Sequence, residues 1–382
     1  MKRMQPPSKP LLLVGASARS AAFSASLAGY QPAAIDLFAD VDLDECCPVE
    51  LWDYQTESLL GLARRLPSGP WLYSGGLENR PHLVQLLATE RQLYGNGCQT
   101  LAEVRNPWKL AAVLGKHACR VAKLSEPLGA RVARKWVRKP LRSAGGSGVQ
   151  RLIDARSASP MWKASYLQEY LVGPSYGAVY VAYLDGTVFL GVTKQLVGAA
   201  WTGGTGFHYC GSIGPVHLAE AAQCEIVRLG AVVAAEFDLR GIFGIDVVVN
   251  QDGVWTLEVN PRYTASVEIL ERAADVAAIQ LHVAACEGQT RSNSPTAMRP
   301  GCFGKAIVFA RRRLIVPANF TALVSRRNAR RSWHSIADIP RVGSVIDRGR
   351  PVTTVFAAAP TMELVELKLR MRAHEVQRVL QC

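Results

Sequence analysis

The sequence predicts a mixed α/β and α+β protein built from two or three domains. In the first hundred residues, short apolar runs alternate with helical segments, which is the pattern of a parallel sheet. The middle of the chain contains long β-branched runs joined by tight turns, as in antiparallel hairpins. The last third changes to short strands followed by a helix. A chain of 382 residues has room for this organisation and for a large buried core.

The first segment is predicted to be a small parallel α/β unit. A strand at residues 11–14 leads through Gly15-Ala-Ser into a helix, and the same pattern of a strand followed by glycine recurs at Ser74-Gly-Gly76. A glycine turn after a first strand is typical of dinucleotide-binding folds, but the full Gly-x-Gly-x-x-Gly pattern is missing. We therefore interpret the first turn as an ordinary connection between a strand and a helix.

The most informative stretch is a predicted β-hairpin at residues 241–262. Two apolar runs flank Asn-Gln-Asp-Gly, where glycine suits a bulged turn. A three-residue loop would pair Asn250 with Val254. That register places Asp246 directly opposite Glu258.

Three oxygen-bearing side chains then share one face of this hairpin. Asn260 joins Asp246 and Glu258 because residues two apart in a strand point the same way. Buried carboxylates this close repel each other, and a hard cation removes that cost. Mg²⁺ bound by a few carboxylates and by substrate phosphates fits the set. The alternative is a solvated hairpin face that carries ordinary polar residues.

A basic residue and a glycine-rich loop lie upstream of the hairpin. Lys139 precedes the loop, which contains Gly145, Gly146, Ser147 and Gly148 between two predicted strands. Exposed backbone N–H groups in such a loop can bind phosphates, with the lysine as a point charge. A structural glycine hairpin is the alternative. The loop is not a Walker motif, because no Gly-Lys-Ser/Thr follows and a strand comes next.

The segment after this loop has features that suit binding of a planar base. Gln168, Glu169 and Leu171 precede predicted strands at residues 177–184 and 187–195, and strand edges can hydrogen-bond a base through backbone groups while leucine and tyrosine pack on its faces. A region rich in glycine and aromatic residues at 201–215 has the composition of a substrate-facing loop.

The positive charge is concentrated near the C-terminus. The net charge is +13, and residues 291–350 supply +11 through 12 Arg and 1 Lys against 2 Asp. A nucleic-acid surface is one interpretation. The segment lacks a recognition motif for nucleic acid, so attraction of a phosphorylated substrate or simple solvation is favoured over it.

Several features favour a cytoplasmic protein. The nine cysteines are scattered without a Cys-x-x-Cys pair, and no histidine or cysteine group has zinc spacing. No window approaches the ~18 apolar residues of a membrane helix. The apolar run at residues 11–14 is too short for the core of a signal peptide.

Taken in chain order, these motifs resemble the ATP-grasp superfamily. The resemblance rests on Lys139-Pro, Gly145-Gly-Ser-Gly148, Gln168-Glu-Tyr-Leu171, Asp246 and Glu258-Val-Asn260-Pro-Arg262. It implies an N-terminal α/β domain at residues 1–104, a two-lobed core at 105–290 that grips ATP, and a C-terminal β-rich basic segment with a terminal helix at 291–382. Within the core, the small lobe would span about 120–170 and the large lobe about 171–290.

The resemblance also implies a role for each motif residue. The ATP-binding set would be Lys109, Lys139, Gly145, Gly146, Ser147, Gly148, Gln168, Glu169 and Leu171. Asp246, Glu258 and Asn260 would hold one or two Mg²⁺ ions, with Mn²⁺ as an alternative. Lys139 and Arg262 would act in catalysis, Arg262 by stabilising the transferring phosphoryl group or the intermediate that follows.

The reaction implied by the resemblance is amide formation by an ADP-forming carboxylate–amine ligase. Details of residues 136–146, 193–198 and 209–215 resemble ATP-grasp proteins associated with one-carbon cofactors of the tetrahydromethanopterin or methanofuran type, so an L-glutamate ligase is the specific hypothesis. Arg142, Lys194 and Trp201 are the candidates for binding the acid or the aromatic acceptor.

Two alternatives stay open. One is a carboxylase-like enzyme that phosphorylates bicarbonate, and the other is a non-catalytic module that binds nucleotides or nucleic acid. The expected partners are a small-molecule acid and an amine, in a protein that can form a homodimer; membrane or nucleic-acid partners are not expected.

Overall fold

The structure is a computed structural model of the chain. It describes residues 9–53, 58–126, 136–152, 164–291, 298–329 and 333–381. Within these ranges, none of the helices is both long and apolar enough to cross a bilayer. The predicted small lobe is seen in part, because residues 127–135 and 153–163 lie outside the described residues.

The N-terminal segment forms a parallel sheet with helices, as predicted. Its elements are β1 Pro10–Gly15, α1 Arg19–Leu27, β2 Gln31–Asp36, α2 Val41–Asp44, β3 Val49–Leu51, α3 Leu59–Arg65, β4 Trp71–Tyr73, α4 Pro81–Ala88 and α5 Cys98–Val104. The strand order is β3-β2-β1-β4, with every neighbouring pair parallel. Asp36 accepts the amide of Ala18 at 2.6 Å, at the start of α1. Since this carboxylate occupies the N-terminus of α1, the structure agrees with an ordinary turn after β1.

The middle of the chain contributes a small sheet and most of a large one. Its elements are α6 Pro107–Lys116, β5 Arg120–Val121, β6 Leu124–Ser125, β7 Trp136–Pro140, β8 Gln150–Arg151, β9 Ser165–Glu169, β10 Ser175–Tyr183, β11 Gly186–Val197, β12 Tyr209–Gly214, α7 Glu220–Glu236, β13 Gly241–Asn250, β14 Gly253–Asn260, α8 Val267–Ala274 and α9 Ala278–Cys286. The small sheet is antiparallel, in the order β6-β9-β7-β8.

The C-terminal segment continues the large sheet. Its elements are β15 Cys302–Phe309, β16 Leu314–Ile315, α10 Asn319–Asn328, β17 Ile336–Ala337, β18 Val345–Ile346, β19 Pro351–Ala359 and α11 Met362–Leu380. The nine strands run in the order β17-β19-β15-β12-β11-β10-β13-β14-β5. One continuous sheet therefore crosses the predicted boundary at residue 290, and the division into domains stays a prediction.

The two faces of the large sheet meet different partners. On one face, Ile226 of α7 packs with Tyr180 and Phe243, and α11 covers the C-terminal strands. On the other face, α8 and α9 pack together with residues of the N-terminal sheet and α1. Because side chains alternate along a strand, each position in β11 or β13 faces either the α7 and α11 layer or the N-terminal segment.

Candidate active site

The β13–β14 hairpin has the predicted pairing at its functional end but a different turn. Asn250 pairs with Gly253, so the loop has two residues and the expected pairing of Asn250 with Val254 is wrong. A β-bulge then shifts the register between Asp246 and Val247, and Asp246 faces Glu258. The bulge adds one residue to β14 and so compensates for the shorter loop.

Polar residues from both sheets meet at this hairpin. The Lys139 ammonium on β7 donates to Glu258 Oε2 at 3.0 Å. Asn260 Nδ2 donates to Asp246 Oδ2 at 3.2 Å, and Gln195 Nε2 donates to Asp246 Oδ1 at 2.8 Å. The structure thus brings Lys139 to the three side chains predicted to bind metal.

The two carboxylates of this group are electrostatically different. Burial disfavours charge on both. For Glu258 the cations Lys139 and Arg105 outweigh that cost, and its pKa lies below the ordinary value. Burial and the charge of Glu258 raise the pKa of Asp246. Burial also opposes charge on Lys139, yet Glu258 outweighs it and raises the lysine pKa above its ordinary value. One carboxylate is therefore compensated by lysine, and the other lacks a full counter-charge.

The donor set fits a hard divalent cation. Two carboxylates and an amide are oxygen ligands of the kind that Mg²⁺ prefers, and a cation would relieve the repulsion that raises the pKa of Asp246. Among the described residues, no group of three or more His, Cys, Asp or Glu side chains forms a metal cluster. The set therefore depends on Asn260 as its third member.

The extra residue of the hairpin bulge is held by the small sheet. Gln168 Nε2 on β9 donates to the Leu257 carbonyl at 3.1 Å. Gln168 itself lies between β6 and β7, and the amide of Glu169 donates to the Lys123 carbonyl at 2.8 Å. Leu171 follows the end of β9. Contact of these residues with a nucleotide stays a prediction.

The glycine-rich loop between β7 and β8 reaches the large sheet. Gly145, Gly146 and Gly148 have φ angles of 60°, 76° and 72°, which favour glycine. The Tyr209 amide donates to the Gly145 carbonyl at 3.0 Å. A Cβ on Gly146 would lie 1.8 Å from the Phe207 carbonyl oxygen. The flap, defined as residues 145–148, therefore packs against the loop before β12, and Ser147 is exposed within it.

Arg262 lies beside residues that sequence reasoning missed. Its Nη2 atom is 2.8 Å from Glu78 Oε1, in the N-terminal segment. Arg105 Nη1 donates to the Val259 carbonyl at 3.2 Å and lies 3.5 Å from Asn260 Oδ1. The sequence offers faint local signals for these residues, since Glu78 follows the second glycine turn and Arg105 precedes α6.

Lys194 is not brought to the site. Gln195, its neighbour on β11, contacts Asp246, so alternation places Lys194 on the opposite face of the sheet. On that face, hydrogen bonds to the carboxyl group of Glu363, at the start of α11, lower the pKa of that group, and the charge of Lys194 lowers it further. Lys194 therefore lies on the face of the sheet opposite Asp246, and its binding to substrate stays a prediction.

The other substrate and nucleotide candidates lie farther out. Trp201 packs against the C-terminal core, and its carbonyl accepts Gln377 Nε2 at 2.9 Å. Lys109 is half-exposed and pairs with Glu103 at 3.1 Å. Arg142 is exposed just before the flap. Roles for these three side chains stay predictions.

Much of the basic C-terminal segment binds the chain itself. The contacts are Arg311 with the carbonyls of Ala200 and Trp201, Arg312 with the Gln381 carbonyl, Arg313 with Asp347, Arg326 and Arg327 with Glu375, and Arg341 with Asp44. These arginines hold neighbouring elements together, which weakens the interpretation of the segment as a nucleic-acid surface.

A comparison with known families matches residues 104–266 to the ATP-grasp domain family. This part of the chain is therefore similar to ATP-grasp domains. The match covers the small sheet, the flap and the hairpin, and it ends four residues after Arg262.

Solved structures show that the whole chain has the ATP-grasp fold. An N5-carboxyaminoimidazole ribonucleotide synthetase matches with a TM-score of 0.71 and 17% identity over 100% of both chains. An L-amino acid ligase from Bacillus licheniformis matches with a TM-score of 0.72 and 16% identity, over 97% of this chain and 98% of that chain. The biotin carboxylase domain of the Hydrogenobacter thermophilus 2-oxoglutarate carboxylase matches with a TM-score of 0.73 and 12% identity, over 96% of this chain and 90% of that chain.

A curated relative extends the similarity to an archaeal protein. The chain is 24% identical to the uncharacterized protein MJ0776 of Methanocaldococcus jannaschii over 276 residues. The alignment covers 69% of this chain and 63% of the relative. The chain therefore spans somewhat less than two thirds of the relative's length.

Proposed function

We propose that the protein is an ATP- and Mg²⁺-dependent carboxylate–amine ligase that releases ADP and phosphate. The observation that carries the proposal is the Lys139–Glu258 pair, which joins the small sheet to the acidic hairpin of an ATP-grasp domain. It sets a cation beside two carboxylates and an amide, on the side of the large sheet that the glycine flap reaches. That arrangement suits the binding of a nucleotide's phosphates.

The chemistry requires positioning and charge neutralisation. A carboxylate is a poor acyl donor because its leaving group is oxide. Transfer of the γ-phosphoryl group of ATP to the carboxylate breaks the bond to ADP and gives an acyl phosphate. Attack by an amine then forms the amide, expels phosphate and loses a proton. Lys139 and Arg262 are suited to stabilise charge on the transferring group.

The metal ligands would be Asp246, Glu258 and Asn260. Mg²⁺ bound there would neutralise phosphate charge. The protein's own contribution is to fix these side chains: Lys139 orients Glu258, and Gln195 orients Asp246. The flap glycines can approach phosphate oxygens closely because they carry no side chain.

For the substrates, we propose L-glutamate and an amine acceptor. This narrower proposal comes from the resemblance to proteins associated with tetrahydromethanopterin-type and methanofuran-type cofactors. The L-amino acid ligase among the solved structures supports amide formation as a class, at the level of the fold. The structure of the biotin carboxylase domain was determined with MgADP and bicarbonate, and it supports phosphorylation of bicarbonate as the second candidate.

The deciding experiment is release of ADP and phosphate from Mg·ATP with L-glutamate and a panel of amines that includes tyramine and pterin precursors. We expect release that needs both acid and amine, together with the mass of the amide. Release that needs only bicarbonate would favour the carboxylase, and the absence of stimulation by every pair would overturn the ligase.

Two lysine variants and one carboxylate variant test the site. Lys139→Ala should lower turnover by about 10²-fold or more, since charge stabilisation at such sites is worth this much. Lys194→Ala removes a lysine on the opposite face of the sheet, and turnover near that of the wild type in this variant would reject the substrate role predicted for Lys194. Glu258→Gln should abolish ADP formation while the fold is retained. If nucleic-acid binding were the function instead, it would persist in Glu258→Gln and weaken steeply with salt.

A further inference from the structure

The second glycine turn of the N-terminal sheet is fixed in position by its neighbours. It follows β4 and comprises Ser74, Gly75 and Gly76. The Ala16 amide donates to the Gly75 carbonyl at 2.8 Å, and the Ser74 hydroxyl donates to the Ser17 carbonyl at 3.0 Å. Gly76 has φ 110°, which a side chain would strain. This turn is therefore a rigid base for the residues that follow it.

Glu78 projects from this base onto Arg262. Its side chain is 1% exposed, and Oε1 lies 2.8 Å from Arg262 Nη2. The Gly76 amide donates to the other oxygen at 2.6 Å, which fixes the direction of the carboxylate. A Cβ on Gly75 would lie 3.6 Å from the guanidinium carbon, so the turn also packs against Arg262.

The rest of the Arg262 guanidinium is held in one orientation. Nη1 donates to the Tyr263 carbonyl at 3.2 Å, and Nη2 lies 3.5 Å from Asn260 Oδ1. Nε is buried and has no partner among the residues that the structure describes. A donor of this kind is available to an oxygen of a bound molecule.

The next residue, Asn79, reaches the base of the flap. Asn79 Nδ2 donates to the Ser143 carbonyl at 3.1 Å, two residues before Gly145. Asn79 Oδ1 accepts Arg105 Nη2 at 3.2 Å, and Arg105 continues to the hairpin. Two adjacent side chains therefore connect one rigid turn to both Arg262 and the flap.

We propose that Glu78 and Asn79 are positioning residues that align Arg262 and the flap base for phosphoryl transfer. The inference rests on the proposed function. It assigns the N-terminal segment of the chain a direct part in the site. Glu78 holds the guanidinium in place before charge develops, so little reorganisation is needed during the reaction. Asn79 restrains the backbone two residues before the flap through its hydrogen bond to the Ser143 carbonyl.

The kinetic test is a double-mutant cycle on ADP formation. We expect Glu78→Gln to lower kcat about 10- to 100-fold with KM for ATP changed less than about threefold, since an interaction used only in the transition state affects kcat. If Glu78 acts through Arg262, the double variant with Arg262→Ala should be no slower than Arg262→Ala alone. Glu50→Gln, which breaks an exposed pair with Arg65 in the same segment, is the matched control. Independent, multiplying losses in the cycle would overturn the proposal.

Two readouts need no turnover, and they separate this inference from the ligase proposal. Phenylglyoxal should modify Arg262 several-fold faster in Glu78→Gln, as measured by peptide mass spectrometry. Trypsin should cleave after exposed Arg142 several-fold faster in Asn79→Ala than in the wild type. Unchanged rates in both assays would overturn the inference, whatever the substrates. Faster rates in a protein that releases no ADP would instead support the positioning of Arg262 and the flap base by Glu78 and Asn79, and would reject the use of that positioning in the proposed ligase reaction.

Discussion

His282 is held as a neutral imidazole between two segments of the chain. Its Nδ1 accepts the Ile242 amide at 2.8 Å, and Nε2 lies 3.1 Å from the Tyr94 carbonyl and donates to it. An acceptor nitrogen cannot carry a proton, so this arrangement needs the uncharged ring. Burial lowers the pKa of His282 to about 4. The residue thereby joins the N-terminal segment to β13, the strand of Asp246.

This arrangement predicts a loss of stability in acid. The unfolded chain takes up a proton near pH 6.5 and the folded chain near pH 4, so the contribution of His282 is full above pH 6.5 and is lost as the pH falls towards 4. The loss should be about 3 kcal/mol at most. Urea unfolding at several pH values should show a shallower dependence of the unfolding free energy on pH in His282→Gln than in the wild type. Parallel curves for the wild type and His282→Gln would contradict the assignment.

The three predicted metal ligands could be grouped from the sequence for a local reason. Asp246, Glu258 and Asn260 lie on one hairpin, where alternation alone fixes their common face. Glu78 and Arg105 reach the site from other elements, and their positions depend on tertiary packing that no local pattern encodes. The same alternation applies to Lys194, but the sequence alone does not show which residue of its strand faces Asp246, so the face on which Lys194 lies could not be predicted.

The β13–β14 hairpin shows how two local errors can cancel. The expected three-residue loop is a two-residue loop, and the bulge at Leu257 restores the pairing of Asp246 with Glu258. Turn length can be estimated from composition, whereas the position of a bulge depends on which group donates a hydrogen bond to its unpaired carbonyl. Here Gln168 donates to that carbonyl from another sheet. The predicted pairing of Asp246 with Glu258 was therefore right, but it depends on a bulge that the local sequence pattern did not indicate.

Gln168→Leu tests the contribution of that hydrogen bond to the bulge. We expect a loss of about 1–3 kcal/mol in the free energy of unfolding, because a carbonyl at the interface of two sheets loses its donor. Any slip of one residue would also move Glu258 to the opposite face and lower activity. Thermal unfolding and ADP formation measure the two effects. Gln150→Leu, at an exposed position of β8, should change neither.

The flap glycines offer a matched pair of substitutions. Gly145 and Gly146 both have positive φ, but a Cβ on Gly145 has no atom within 4 Å, whereas one on Gly146 would meet the Phe207 carbonyl at 1.8 Å. Both alanine variants bear similar backbone strain. Gly146→Ala should therefore lower kcat/KM for ATP by roughly tenfold more than Gly145→Ala, if the difference in flap packing is worth about 1.4 kcal/mol. Equal losses in the two variants would show that the close packing of Gly146 against the Phe207 carbonyl is not needed for turnover.

On the scale of the whole molecule, one buried network joins the three segments. Glu268 on α8 accepts Arg19 Nη1 of α1 at 3.0 Å and the ammonium of Lys305 on β15 at 3.1 Å. Arg19 Nε also donates to Asp338 at 2.6 Å. Together with the continuous nine-stranded sheet, this network makes independent unfolding of the C-terminal segment unfavourable.

The network predicts that removal of one charge will affect the entire fold. Glu268→Gln leaves Arg19 and Lys305 buried near a neutral amide, and loss of one partner of a buried pair costs about 3–5 kcal/mol. Burial opposes charge on Glu268, but Arg19 and Lys305 hold its pKa well below the usual range, so its contribution is present above pH 4.5 and is lost in acid. Calorimetry should show one transition in the wild type, and in Glu268→Gln a large fall in Tm or a separate early transition. Glu90→Gln breaks an exposed pair with Arg64 and should shift Tm little. A wild-type calorimetric profile for Glu268→Gln would mean that sheet continuity alone holds the segments together.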